Sequence, residues 1–176
     1  MTALTHPLAA LPSRYRVRVF VPLLIATLVI TFLFRFIGPA QPNIVDFELA
    51  GSVDKAGQII NAWTEADRIH AGFSLGFDYL YMPVYSTTIA LACILAVGVL
   101  KHRTWQTIGL LLAWGLWLAA LSDAIENLAL LTELFGNNSA PWPQVAQLCA
   151  TIKFGLILLG LLYVIGGLVG RVVKRA

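Results

Sequence analysis

The sequence predicts an all-α protein, a four-helix transmembrane bundle built as one domain over residues 1–176. Three observations predict it. Four apolar segments, about 17–38, 71–100, 106–134 and 142–169, each meet the length of ~20 residues that a helix needs to cross a hydrocarbon core of about 30 Å. Charged residues make up only 12% of the chain against 59% hydrophobic. A soluble domain carries about 25% charged residues, so much of this surface must face something other than water. The third observation is that the basic residues sort by side.

Arg14, Arg16 and Arg18 precede the first segment, Lys101 and Arg103 separate the second from the third, and Arg171, Lys174 and Arg175 follow the fourth. These places hold eight basic residues and no acidic one. The two opposite connectors carry Asp46, Glu48, Asp54, Glu65, Asp67 and Glu133 against Lys55 and Arg68. The positive-inside rule then puts both termini in the cytoplasm (N-in, C-in) and residues 39–70 outside. The first segment, with its three arginines and Gly38-Pro39-Ala40 beyond it, also mimics a secretory signal. Its apolar run is long for that role, and Arg35 and Phe36 spoil the approach to a cleavage site. It is expected to remain as a span.

The outer connector 39–70 is expected to hold a short amphipathic helix on the membrane surface. Ser52 suits an N-cap, and Val53, Ala56, Ile59, Ile60 and Trp63 follow near helical spacing. Trp63 suits the membrane–water boundary. Thr64 with Asp67 resembles a capping box, which starts the second long helix near Glu65. The second outer connector, with Asn137-Asn138-Ser139, has turn chemistry.

Composition excludes several classes. A net charge of +3 is weak for a nucleic-acid partner, and none is expected. Cys93 and Cys149 lie in apolar runs without CxxC spacing, so they are expected to be small buried hydrophobes and no metal site is expected. His70 and His102 stand a membrane thickness apart and cannot share a haem. No phosphate loop, nucleophile elbow or metal motif is present, and no cofactor is expected.

The chemistry lies in charges placed inside the spans, where each is expensive. At ~1.5 Å per residue, Asp78 lies about 10 Å in from the outer end of its helix, Asp123 about 16 Å, Glu126 about 12 Å and Lys153 about 16 Å. Three separate helices thus bring their charges to one layer. Periodicity turns them inward. Ala71, Ser74, Asp78, Tyr81, Tyr85, Thr88 and Ala92 share one stripe, Leu116, Ala119, Ala120, Asp123, Glu126 and Asn127 another, and Ala146, Lys153, Gly160 and Gly167 recur every seven residues. The expected site is Asp78, Tyr81, Tyr85, Asp123, Glu126, Asn127 and Lys153. Three carboxyls face one lysine, so at least one is expected to hold a proton or meet a cation. Asp123 and Glu126, one turn apart, are the expected proton-sharing pair, with Arg35 as a possible further counter-charge. Pro83 interrupts the second span beside Asp78 and is expected to bend it and open room there.

The stretches Ile44-Val45-Asp46-Phe47-Glu48-Leu49-Ala50, Asp78-Tyr79-Leu80-Tyr81 with Tyr85, Asp123-Ala124-Ile125-Glu126-Asn127-Leu128 and Thr151-Ile152-Lys153-Phe154 together resemble a family of small uncharacterised bacterial four-helix integral membrane proteins with no assigned activity. The resemblance implies fold and localisation, the bacterial inner (plasma) membrane, and adds nothing on mechanism. By layout alone, four helices with intramembrane acids are also similar to the sterol-isomerase and sigma-2-receptor group, without a diagnostic motif.

The leading expectation is a non-enzymatic membrane protein whose cluster binds a small polar or cationic ligand, or a proton, from the outer side. One alternative is an enzyme using Asp or Glu as acid and base on a lipid-like substrate, which needs an apolar cavity continuous with the carboxylates. The other is a structural or assembly subunit, in a homo-oligomer or a larger complex, which needs an exposed face of small residues such as Gly155, Gly166 and Gly170. The expected partners are the lipid bilayer and a small-molecule or lipid ligand.

Overall fold

The computed structural model describes residues 5–39, 41–98 and 102–173. Lys101, Lys174 and Arg175 of the basic set lie outside them, as do residues 99–100 at the expected end of the second span. The described residues form a short 3-10 helix, Pro7–Ala10, and six α-helices: α1 (Ser13–Ile37), α2 (Ile44–Glu48), α3 (Val53–Ala62), α4 (Glu65–Val97), α5 (Arg103–Leu134) and α6 (Trp142–Val173). Four helices, α1, α4, α5 and α6, are long and apolar enough to cross a membrane. The last three run close to ~50 Å at 1.5 Å per residue, well beyond a hydrocarbon layer of about 30 Å.

Antiparallel α4, α5 and α6 pack on one another, while α1 leans chiefly on α4. No residue of α1 is fully buried. It is attached to α4 by hydroxyl and ring contacts: Thr27 Oγ1 meets Thr88 Oγ1 at 2.9 Å, Thr31 Oγ1 meets the Tyr81 hydroxyl at 2.6 Å, and Phe34 packs edge-on against Phe77 and Tyr81. Its remaining faces expose Val21, Ile25, Leu28, Phe32 and Phe36, a lipid-compatible surface. On α6 the small residues permit close approach. A Cβ on Gly160 would lie 2.9 Å from Leu116 and 3.2 Å from Ile89, and one on Gly167 2.8 Å from Ala96.

Helices α2 and α3 cap the end of the bundle where α4 and α6 begin and α5 ends; this is the connector end. Asn43 starts α2 by accepting from Val45 and Asp46 N–H, and Asp46 returns a bond to the Asn43 N–H. After five residues the chain reverses at Gly51, whose φ of +68° suits glycine and where a Cβ would collide with the Gln147 amide. Ser52 caps α3 through the Lys55 N–H, and the Thr64–Asp67 box starts α4 at Glu65.

Trp63 corrects an expectation. It is 3% exposed, not at a lipid boundary. Its indole N–H donates to the Pro42 carbonyl at 2.7 Å and its ring packs edge-on against Phe47 at 5.2 Å. Both halves of an amphipathic ring are thus satisfied inside the cap, in a core shared with Ala56, Ala71, Leu75, Leu130 and Ala146. At the opposite, terminal end, His6 is buried between Trp114 and Trp117, with ring centroids 4.7 and 4.6 Å away, and the Trp114 indole donates to the Thr5 carbonyl at 3.1 Å. Burial holds the His6 imidazole below its ordinary pKa.

Removing a buried Trp costs about 3–5 kcal/mol. Trp63→Ala should therefore lower the thermal unfolding temperature in detergent markedly. Trp105→Ala, at a position 51% exposed, should change it little. Equal small effects would return Trp63 to the lipid boundary.

Candidate functional site

The site is organised by Lys153. Its place on α6, in register with Ala146, Gly160 and Gly167, turns it towards α5, and all four residues are buried. Helical side chains lean towards the helix N-terminus. Lys153 therefore leans towards the connector end, where α6 starts. Its ammonium Nζ lies 2.9 Å from Glu126 Oε1, 3.0 Å from Asp123 Oδ1 and 3.5 Å from Glu48 Oε2. An ammonium has three donors. Two are spent on the α5 carboxylates, and the third direction meets a carboxyl from the cap. The three ion pairs found among the described residues all belong to this one lysine.

A second ring of partners surrounds these contacts. Tyr85 of α4 donates its hydroxyl to Asp123 Oδ2 at 2.9 Å. Asn127 donates its amide to Asp78 Oδ2 at 2.9 Å and to the Leu75 carbonyl at 3.1 Å. Asp123, Glu126, Asn127, Tyr85 and Lys153 are each at most 5% exposed, and Asp78 is half-buried. Of the seven expected residues, Tyr85, Asp123, Glu126 and Lys153 share one bonded network, and Asp78 and Asn127 form a pair of their own beside it. Tyr81 stands apart: its hydroxyl turns to Thr31 on α1, while its ring rests on Tyr85 at 5.0 Å. Arg35 is exposed and makes none of those ion pairs. Helix α4 runs on through Pro83, whose side chain is on the exposed side.

Glu48 is the residue that sequence reasoning passed over. It was counted with the exposed acids of the connector, yet it is 7% exposed and reaches the lysine. Its signal was present: an acid inside the apolar run Ile44–Ala50 needs a partner if that run packs. Burial pushes the Glu48 carboxyl above the ordinary glutamate range, the Lys153 ammonium pulls it back, and the Asp123 carboxylate pushes it up again.

Glu48 also changes the expected proton-sharing pair. Each oxygen of Asp123 has its own donor, Lys153 for one and Tyr85 for the other. That pattern suits a carboxylate. Glu126 Oε2 is buried without a hydrogen-bond donor, Glu48 Oε2 has only the long 3.5 Å approach of the Lys153 ammonium, and both glutamates converge on that one nitrogen. Glu126 and Glu48, and not Asp123, are therefore the acids at the lysine with incompletely served oxygens.

Counting Glu48, three carboxyls meet one ammonium, and Asp78 stands beside them on Asn127. Full ionisation would leave two uncompensated negative charges at the buried lysine. Among the described residues no group of three or more His, Cys, Asp or Glu side chains is arranged to hold a metal ion. Both cysteines are free, Cys93 buried and Cys149 partly so. Two hollows lie away from the cluster. One, of about 560 Å³, opens over α2 and α3 beside Asp46 and Lys55; the other, of about 540 Å³, is an apolar groove between α5 and α6 beside Trp105, Tyr163 and Gly166.

Compared with known proteins, the chain matches no protein-family model, no curated protein and no solved structure. The resemblance described above therefore rests on its motifs alone, and the geometry carries the functional reading.

Removing one partner of a buried ion pair costs about 3–5 kcal/mol because the remaining charge is stranded. Lys153→Met should destabilise the protein in detergent by that order. Adding Glu126→Gln or Asp123→Asn to Lys153→Met should restore part of the loss, as read by thermal unfolding. No recovery in either double variant would show that these contacts hold little energy.

Proposed function

We propose that this protein binds a small positive species, a proton or a small cationic ligand, in the carboxylate–lysine cluster. One observation carries the reading: three carboxyls, Glu48 from α2 and Asp123 and Glu126 from α5, gather around a single buried ammonium. A network built only to clamp helices together needs charge balance, because each uncompensated buried charge costs several kcal/mol. This one has an excess of acid and buried acceptor atoms with no donor, Glu126 Oε2 and Asn127 Oδ1. Such a site is completed by a positive guest. The protein acts as a binding protein in this reading, and no bond-making on a substrate is required of it.

The basic bias further supports a bacterial inner-membrane location with cytoplasmic termini, the connector end and its cluster facing outward. An assembly role is a second reading, favoured by Gly155 and Gly166. Both are exposed on α6, and a Cβ on either would meet nothing within 4 Å, which leaves room for a neighbouring helix to approach.

Infrared spectroscopy of the purified protein separates the first two readings. A protonated-carboxyl band is expected near neutral pH, and it should weaken as a cation from an alkali or alkylammonium series displaces the proton. Fully ionised carboxylates that ignore every added cation would leave the cluster as a clamp and put the assembly role ahead.

Orientation is tested by thiol labelling of intact cells. Ser52→Cys and Ser139→Cys should react with a membrane-impermeant reagent and Ser13→Cys should not. The reverse pattern would invert the topology.

A further inference from the structure

We propose that the guest is one proton held between Glu48 and Glu126, and that α2 is the element that admits it. This rests on the reading of the cluster as a site for positive charge. Glu48 and Glu126 are 7% and 0% exposed, both converge on the Lys153 ammonium, at 3.5 and 2.9 Å, and Glu126 Oε2 has no donor while Glu48 Oε2 has only that long contact. Two carboxylates facing each other have only acceptors between them. A proton on one of them makes it a donor to the other. The remaining acids are already served: Asp123 accepts from Lys153 and Tyr85, and Asp78 accepts from Asn127.

The titratable groups facing the pair can be named by element. Lys153 and, more distantly, Cys149 come from α6, Asp123 from α5 beside Glu126 itself, and Asp78 and Tyr85 from α4. Among the described residues α1 and α3 add none to this set. Lys153 is already bonded to both α5 carboxylates and lies farther, at 3.5 Å, from Glu48. It cannot neutralise all of them. The proton supplies the charge that is missing.

The chemistry is a simple transfer. Uptake forms one O–H bond on a carboxylate oxygen and one hydrogen bond to the facing carboxylate. Release breaks both and returns the proton to water at the connector end, with no electron transferred.

The fold decides which partner moves. Glu126 sits within the 32-residue α5, held by neighbours on both sides. Glu48 rides on the five-residue α2, outside the spanning helices. Two hydrogen bonds hold the flanks of α2, Gln147 Nε2 to the Leu49 carbonyl at 3.1 Å and the Trp63 indole to the Pro42 carbonyl at 2.7 Å, and the buried Phe47 seats it in the connector core against Trp63. Loss of the shared proton leaves two like charges at one ammonium, which repel. The short element yields, and its departure uncovers the cluster from the connector end.

The test uses the full chain in detergent or nanodiscs. The protonated-carboxyl infrared band should be lost in Glu48→Gln and in Glu126→Gln and kept in Asp78→Asn and Asp123→Asn. Glu48→Asp, which keeps the acid but shortens its reach, should keep a band that titrates at a different pH. A band that survives both glutamine variants, or is lost only in an aspartate variant, overturns the assignment while the broader reading stands. A cation response without any such band does the same. Neither band nor cation response sinks the broader reading with it.

The role of α2 is read separately, by maleimide labelling of Ala50→Cys in a Cys149→Ser background. Ala50 is 5% exposed, two residues beyond Glu48. Rates are taken relative to the exposed Ser139→Cys, which cancels the reagent's own pH dependence. Labelling should rise by at least an order of magnitude as pH passes through the loss of the band, and should stay slow in the added presence of Glu48→Gln. A rate ratio that does not change with pH overturns the gating role.

Discussion

The ammonium of Lys153 is the constraint on which the rest of the structure depends. A lone lysine inside a membrane span is costly to place there, and it persists only if acceptors are brought to it. Here they come from two directions, Asp123 and Glu126 from α5 and Glu48 from the cap. Glycines at Gly160 and Gly167 let α6 lie close against its neighbours, which shortens the reach the lysine must make. The lean of the side chain towards the start of α6 then sets where the charges gather, on the connector side of the bundle. A balanced buried pair does little for net stability. An unbalanced one places a demand on the surroundings, and that demand is the functional content of the site.

Much of this was legible. Long apolar runs announced α1, α4, α5 and α6, and the Thr64–Asp67 and Ser52 signals placed the starts of α4 and α3 because capping is local chemistry between residues three apart. The inward stripes on α4, α5 and α6 were legible because a spanning helix has one period and a polar side chain in lipid has one sensible direction. Six of the seven expected site residues gather in two adjoining bonded groups for that reason.

What escaped were contacts made across long sequence separations. Nothing in the vicinity of Glu48 says that its partner lies more than 100 residues away on α6. Connector acids are ordinarily solvated, so the default reading was reasonable and wrong here. Tyr81 shares the stripe of Tyr85 but lies far enough round α4 to meet Thr31, and stripe membership alone cannot separate the two. Trp63 looks the same at a lipid boundary and in a small core until its Pro42 partner is known. The tryptophans that enclose His6 stand more than 100 positions on, out of reach of any local pattern.

The depth of the cluster has an electrical consequence. Moving one elementary charge across the whole membrane against its potential is worth about 2.3 kcal/mol per 100 mV. A charge that enters from the connector end and stops at Lys153 crosses only part of that drop, so its binding is weighted by the corresponding fraction. If the proposed guest binds there, its occupancy would depend on membrane voltage as well as on concentration. Two cells with the same external acidity but different energisation would fill it to different extents. On the proposed reading, the burial of one lysine about three turns down a helix would make the cluster responsive to the energetic state of the membrane around it.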